Sequence, residues 1–69
     1  MKSISGRRLA KILEQRGWVL LRVKGSHHYY GRPDSRTRLS LPIHGSADIK
    51  IGILKSLMKL ANLEEEDLK

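Results

Sequence analysis

The sequence predicts a two-layer α+β fold with the order α-β-β-β-α, a three-stranded antiparallel sheet carrying both helices on one face. Three observations carry that expectation. Apolar residues recur at helical spacing near both ends, as Leu9, Ile12 and Leu13 and again as Leu54, Leu57, Met58 and Ala61. Between them lie short β-forming runs with alternating polarity, and Gly17, Gly25 and Pro33 punctuate these segments where turns are needed.

The first helix is expected over about residues 6–16. Ser5 can cap it, and Gly17 can end it in the left-handed conformation. Arg7 and Arg8 work against it, because the first turn of a helix favours acidic side chains, and Arg7 with Lys11 is a like-charge pair one turn apart. These cations fit either a solvated face or a phosphate-contacting one. Residues 18–23, Trp-Val-Leu-Leu-Arg-Val, are rich in β-formers and too short for a helix of ordinary length, so they predict a strand. Lys24-Gly25-Ser26 makes a tight connection, and His27-His28-Tyr29-Tyr30 resumes extended structure to complete a hairpin. Arg32-Pro33-Asp34-Ser35 is a turn, after which Leu39, Leu41 and Ile43 alternate with Arg38, Ser40 and Pro42 as a third strand with one buried face.

The second helix is expected over Ile51 to Ala61, with Lys55, Ser56 and Lys59 opposite its apolar arc. Asn62 and Glu65 have the spacing of a capping box that opens one last turn ending near Leu68. Three strands joined as consecutive hairpins, with helices before and after, give the arrangement of double-stranded-RNA-binding domains; fold alone does not settle function.

A chain of 69 residues is expected to form one domain spanning residues 1–69, with a thin core and a shallow site. It holds fourteen Lys and Arg against seven Asp and Glu, for a formal charge of +7. The imbalance is sharper locally, since residues 1–59 carry thirteen of those cations against only Glu14, Asp34 and Asp48. Such a field draws polyanions. An anionic membrane also fits, but no stretch approaches the roughly 18 apolar residues of a spanning helix, so nucleic acid is the better partner. The lack of cysteine excludes disulfides and thiolate-bound zinc, and together with a start that has no apolar leader it points to the cytoplasm. There is no glycine-rich phosphate loop and no serine nucleophile elbow.

Histidine is the side chain that gives and takes protons near neutrality, and His27 is placed where a turn meets a strand. Metal-free RNA cleavage needs a base for the 2′-hydroxyl proton, an acid for the leaving oxygen and positive charge at the phosphate. His27 flanked by Arg22 and Lys24 can supply part of that set. From the residues alone three roles stay open for it: catalyst, nucleic-acid contact and structural histidine. His28 must point to the opposite face of the strand. His44 reads as a turn residue, and a metal site built from His27 or His28 with His44 and Asp34 matches no ligand spacing. Tyr29 and Tyr30 can stack on bases, although alternation must bury one of them. Arg32, Arg36 and Arg38 at the second turn fit phosphate contacts and a solvated turn equally well. RNA contacts are expected from Arg22, Lys24, Gly25 and Ser26 around the hairpin and from Lys55 and Lys59 on the second helix.

The segment Gly17-Trp18-Val19-Leu20-Leu21-Arg22-Val23-Lys24-Gly25-Ser26-His27-His28-Tyr29 resembles the signature of the HicA (YcfA-like) toxin family. Leu41-Pro42-Ile43-His44-Gly45 followed by residues 50–58 resembles its second block, in the same order and at the same separation. The sequence departs from the family pattern at Ile51, where proline is common, at Ile53, where threonine is common, and at Asn62, where glycine often closes the helix. The resemblance implies an mRNA interferase on a double-stranded-RNA-binding-like fold, with the catalytic histidine of the Gly-Ser-His element at His27. It implies mRNA as substrate and a HicB-like antitoxin as protein partner, while the residues themselves lead one to expect no cofactor and no metal. The competing expectations are a non-catalytic RNA-binding module and a DNA-binding regulator. The second needs helices where the middle of this chain reads as strands.

Overall fold

A computed structural model describes all 69 residues. Helix α1 spans Gly6–Gln15, strands β1, β2 and β3 span Val19–Lys24, His27–Arg32 and Ser35–Pro42, and helix α2 spans Ile51–Ala61. A short 3-10 turn follows at Glu65–Leu68. The strands are antiparallel in the order β1-β2-β3, so β2 is central, and the two-layer α+β architecture is the one the sequence predicts. No helix is long and apolar enough to cross a membrane.

Each boundary has a local cause. The Ser5 hydroxyl accepts from the Arg8 backbone N–H at 3.2 Å, which satisfies one of the orphan donors of the first turn. Gly17 at φ 91° closes α1, and Gly25 at φ 59° turns β1 into β2. The last helix boundary differs from expectation. Asn62 does not open a capping box with Glu65; it ends α2 in the left-handed region, at φ 61° and ψ 39°. The neighbouring Leu63 N–H donates to the Met58 carbonyl at 2.8 Å. A residue committed to closing one helix is not available to cap the next, so the box shifts two positions to Glu64 and Asp67. The Glu64 N–H and the Arg16 guanidinium both bond the Asp67 carboxylate and hold it below the usual carboxylate range, while Leu68 packs into the core.

The core lies between the helices and one face of the sheet. Leu9, Leu13, Leu39, Leu41 and Leu54 fill it, together with Tyr30, which is only 2% exposed. Tyr30 carries a polar tip inward, and its hydroxyl donates to Glu14 Oε2 at 2.8 Å. Burial, and after it the hydrogen bond and charge of Glu14, push the phenol pKa up to about 12. Trp18 is buried at the junction of α1 and β1, with the Arg32 guanidinium 5.5 Å from the ring centroid. Its indole N–H finds no acceptor. By contrast β1 contributes nothing to the interior, because every residue of Val19–Lys24 is exposed.

One close approach ties the helix layer to the end of the sheet. At Gly6 the backbone of α1 lies so near β3 that a Cβ would come within 2.3 Å of the Pro42 carbonyl oxygen and 2.9 Å of Ile43 Cγ1. Behind it, Ser3 Oγ bonds the Ile49 carbonyl, and the Ile49 N–H donates to Ile4 at 2.9 Å. The chain start is thereby sewn to the segment that leads into α2.

Two predictions follow from this packing. Gly6→Ala destabilises the domain by about 1–3 kcal/mol despite alanine's better helix propensity, because backbone rather than a mobile side chain stands in the way; urea titration measures it, and an unchanged midpoint contradicts the close approach. Tyr30→Phe costs about 1 kcal/mol at neutral pH by deleting the bond to Glu14. A phenol pKa raised above its unfolded value of about 10 contributes stability that is complete below that pH and disappears as pH climbs toward 12. The wild type therefore loses stability in that alkaline window more steeply than Tyr30→Phe, which thermal melts across it resolve.

Candidate functional site

Alternation along β2 sorts its side chains between the two faces of the sheet. His28 and Tyr30 pair with Leu41 and Leu39 and point toward the helices. His27, Tyr29 and Gly31 pair with Pro42, Ser40 and Arg38 on the face that no helix covers. Adjacent histidines are thus separated by the sheet, as the sequence requires, and His27 is the exposed one.

His27 opens β2 directly after the Gly25-Ser26 turn, opposite Lys24 on β1 and Pro42 on β3. Its Nδ1 lies 3.2 Å from Ser40 Oγ, a contact in which either atom can donate according to the tautomer. No protein group bonds Nε2, which stays available to a ligand. The Tyr29 ring stands 6.5 Å from the imidazole, centroid to centroid, and the Arg22 guanidinium lies 4.9 Å from the Tyr29 centroid. Imidazole, phenol and guanidinium therefore share one open surface. Beyond the end of the sheet, a shallow cleft of about 310 Å³ is lined by His27, Pro42, His44, Asp48, Lys50 and Ile53. The Ile43 N–H donates to the Ser26 carbonyl at 2.8 Å and locks the strand leading to His44 against the turn that presents His27.

The residues expected to contact RNA divide into two groups. Arg22 and Lys24 pair with Tyr29 and His27 and lie beside them on the open face. Gly25 stands in open space at the turn, and Ser26 engages Ile43 through its backbone. Lys55 and Lys59 do not join this constellation. They are exposed on α2, whose Leu54, Leu57 and Met58 face the core, and the part of α2 that reaches the His27 cleft is its start, at Lys50 and Ile53. Ser40 and Lys50 are the residues that sequence reasoning misses. Alternation in β3 could have put Ser40 on the outer face, but only the β2–β3 register puts it beside His27. His44 keeps its expected turn role, with its carbonyl accepting from Ala47 at 2.9 Å, and also forms part of the cleft wall. Asp34 sits in the β2–β3 turn, at the far end of β2 from His27, and no three His, Asp or Glu side chains come together in a group able to hold a metal ion.

Comparison with protein families gives a match to the model described as HicA toxin of bacterial toxin-antitoxin, over residues 6–63. The chain belongs to the HicA toxin family. As a HicA toxin it is one half of a toxin–antitoxin pair, and an antitoxin is its partner. The matched region takes in both helices, the whole sheet and the His27 cleft, and it stops before the acidic run Glu64 to Asp67. No curated protein matches the chain.

The Ser40 contact holds one ring nitrogen of His27. In Ser40→Ala the neutral imidazole therefore shifts its balance between the two tautomers, seen as a change in the Nδ1 and Nε2 nitrogen chemical shifts; identical spectra for the two proteins exclude the contact.

Proposed function

We propose that this HicA toxin is an endoribonuclease that cleaves mRNA by general acid–base chemistry at His27, and that a HicB-type antitoxin holds it inactive. The observation that carries the reading is the exposed imidazole of His27, with Nδ1 at Ser40 and Nε2 unpartnered, on a surface supplied with the cations Arg22 and Lys24.

In this reaction the imidazole takes the proton of a ribose 2′-hydroxyl as the 2′-oxygen attacks the adjacent phosphorus. The bond to the 5′-oxygen of the next nucleotide breaks, and that oxygen takes a proton from solvent water, which this open site admits. The products are a 2′,3′-cyclic phosphate and a free 5′-hydroxyl. Charge grows on the non-bridging phosphate oxygens in the transition state, and a guanidinium or ammonium close by stabilises it most where water is excluded. Arg22 and Lys24 serve there, and Gly25 lets a phosphate approach the turn without meeting a side chain. Lys55 and Lys59 belong to the same proposal as outlying phosphate contacts, reached by RNA that extends past the cleft.

A positioned proton-transfer group contributes about 10²- to 10⁴-fold. His27→Ala is expected to reduce RNA cleavage by that factor while leaving the fold, followed by circular dichroism, and most of the RNA affinity in place. Cleavage by wild type persists in EDTA, because the proposed proton transfers use the imidazole and water and need no metal ion; activity that vanishes in chelator and returns with added divalent ion refutes the mechanism. Wild-type protein that binds RNA and never cuts it is a binding module instead.

A further inference from the structure

We propose that the helix-free face of the sheet is a track for single-stranded RNA, running from His27 along β2 to Gly31, with Tyr29 as its stacking platform and Arg22 and Arg38 as its phosphate contacts. The proposal rests on the ribonuclease reading above and says where the strand beside the scissile linkage lies.

The face has the shape for it. Two shallow hollows of about 360 and 270 Å³ lie side by side on it, with Leu21 and Arg38 lining both. The first is lined by Leu21, Arg22, Tyr29 and Arg38, and the second continues past Gly31 to Arg32 and Pro33. Gly31, itself buried, lies beneath the two side chains they share. A Cβ there would meet Leu21 Cδ1 at 2.9 Å and the Arg38 side chain at 3.2 Å, so both neighbours lean over a position that has no side chain of its own. Successive outward residues on a strand stand about 6.8 Å apart, a distance that one unstacked nucleotide covers.

Charge and chemistry name the occupant. No Asp or Glu lines either hollow, and Asp34, in the adjoining turn, is engaged by Arg32 at 3.4 Å. A polyanion meets cations along the whole path. The Arg22 guanidinium lies over the half-buried Tyr29 ring with His27 beside it, and both an aromatic ring and a guanidinium plane accept a stacked base. The bases of a duplex are stacked on one another and offer no free face to such a platform; a single strand does. Val19 and Leu21, each 52% exposed, supply apolar flanks for bases turned away from water. The surface thus uses the side of the sheet opposite the helices, and Lys55 and Lys59 stand outside it.

The test uses full-length His27→Ala protein, which holds RNA without cutting it, and a fluorescent oligoribonucleotide of about ten residues offered single-stranded or as a blunt duplex. Anisotropy should show the single strand bound more tightly. Tyr29→Ala in this background weakens it about tenfold, whereas Tyr29→Phe, which keeps the ring, does not. Arg38→Ala lowers the slope of log affinity against log salt by about 0.7, the share of one phosphate on a single strand. Lys55→Ala with Lys59→Ala, at outlying contacts, weakens binding of so short a strand less than either Tyr29→Ala or Arg38→Ala does. Equal affinity for the duplex, or indifference to both Tyr29→Ala and Arg38→Ala in protein whose circular dichroism matches the parent, overturns the track; so does a face that binds no RNA and engages only protein. The two readings fail separately. If wild type cuts RNA while Lys55 and Lys59 govern binding, the track falls and the nuclease stands; if the track binds RNA that wild type never cuts, the nuclease falls alone.

Discussion

Two short helices can cover only one face of a three-stranded sheet, and the rest of this molecule follows from that constraint. With so little chain, the fold buries one row of side chains from β2 and β3 and leaves the other row to water. Apolar residues take the covered row, as Leu39, Leu41 and Tyr30 do. The open row is free to hold groups that a core would exclude, and it holds an imidazole, a phenol and several guanidinium groups. The strand that buries the aromatic ring of Tyr30 therefore also carries His27 three residues earlier, on the other side of the sheet.

The open face is held in place by contacts made out of its sight. Gly6 lets α1 press on Pro42 and Ile43, and those residues are paired across the sheet with His27 and bonded to Ser26. The position of the imidazole is thus fixed through backbone rather than through the mobile cations around it. Glu14 on the other turn-side of α1 receives the Tyr30 hydroxyl, so the first helix grips β2 and β3 at once. A small domain gains rigidity at its working surface in this way without enclosing it.

Much of the architecture was legible because each signal was local. Ser5, Gly17 and Gly25 act where their backbone chemistry says they must, and α2 begins and ends at the expected residues because Leu54, Leu57, Met58 and Ala61 leave no other arc. The separation of His27 from His28, and of Tyr29 from Tyr30, needed only the two-residue period of a strand. What lay hidden depends on pairing between distant segments. Ser40 meets His27 through the β2–β3 register, and Lys50 reaches the same cleft because Ile49 is tied back to Ile4. Asn62 misled for a different reason. Its short polar side chain suits both a helix start and a left-handed stop, and the second use won because Leu63 gains a backbone bond only there.

Strand β1 stands apart in one respect. It sends no side chain into the interior, and past Trp18 it is fastened by its ladder with β2 and by solvent-exposed contacts such as Arg22 over Tyr29. Peeling it away from the Lys24 end would leave the hydrophobic nucleus whole, yet it would carry Arg22 and Lys24 off from the imidazole. Local fraying and global unfolding are thus different events here, and the cheaper one parts the imidazole from its two neighbouring cations while the domain stays folded.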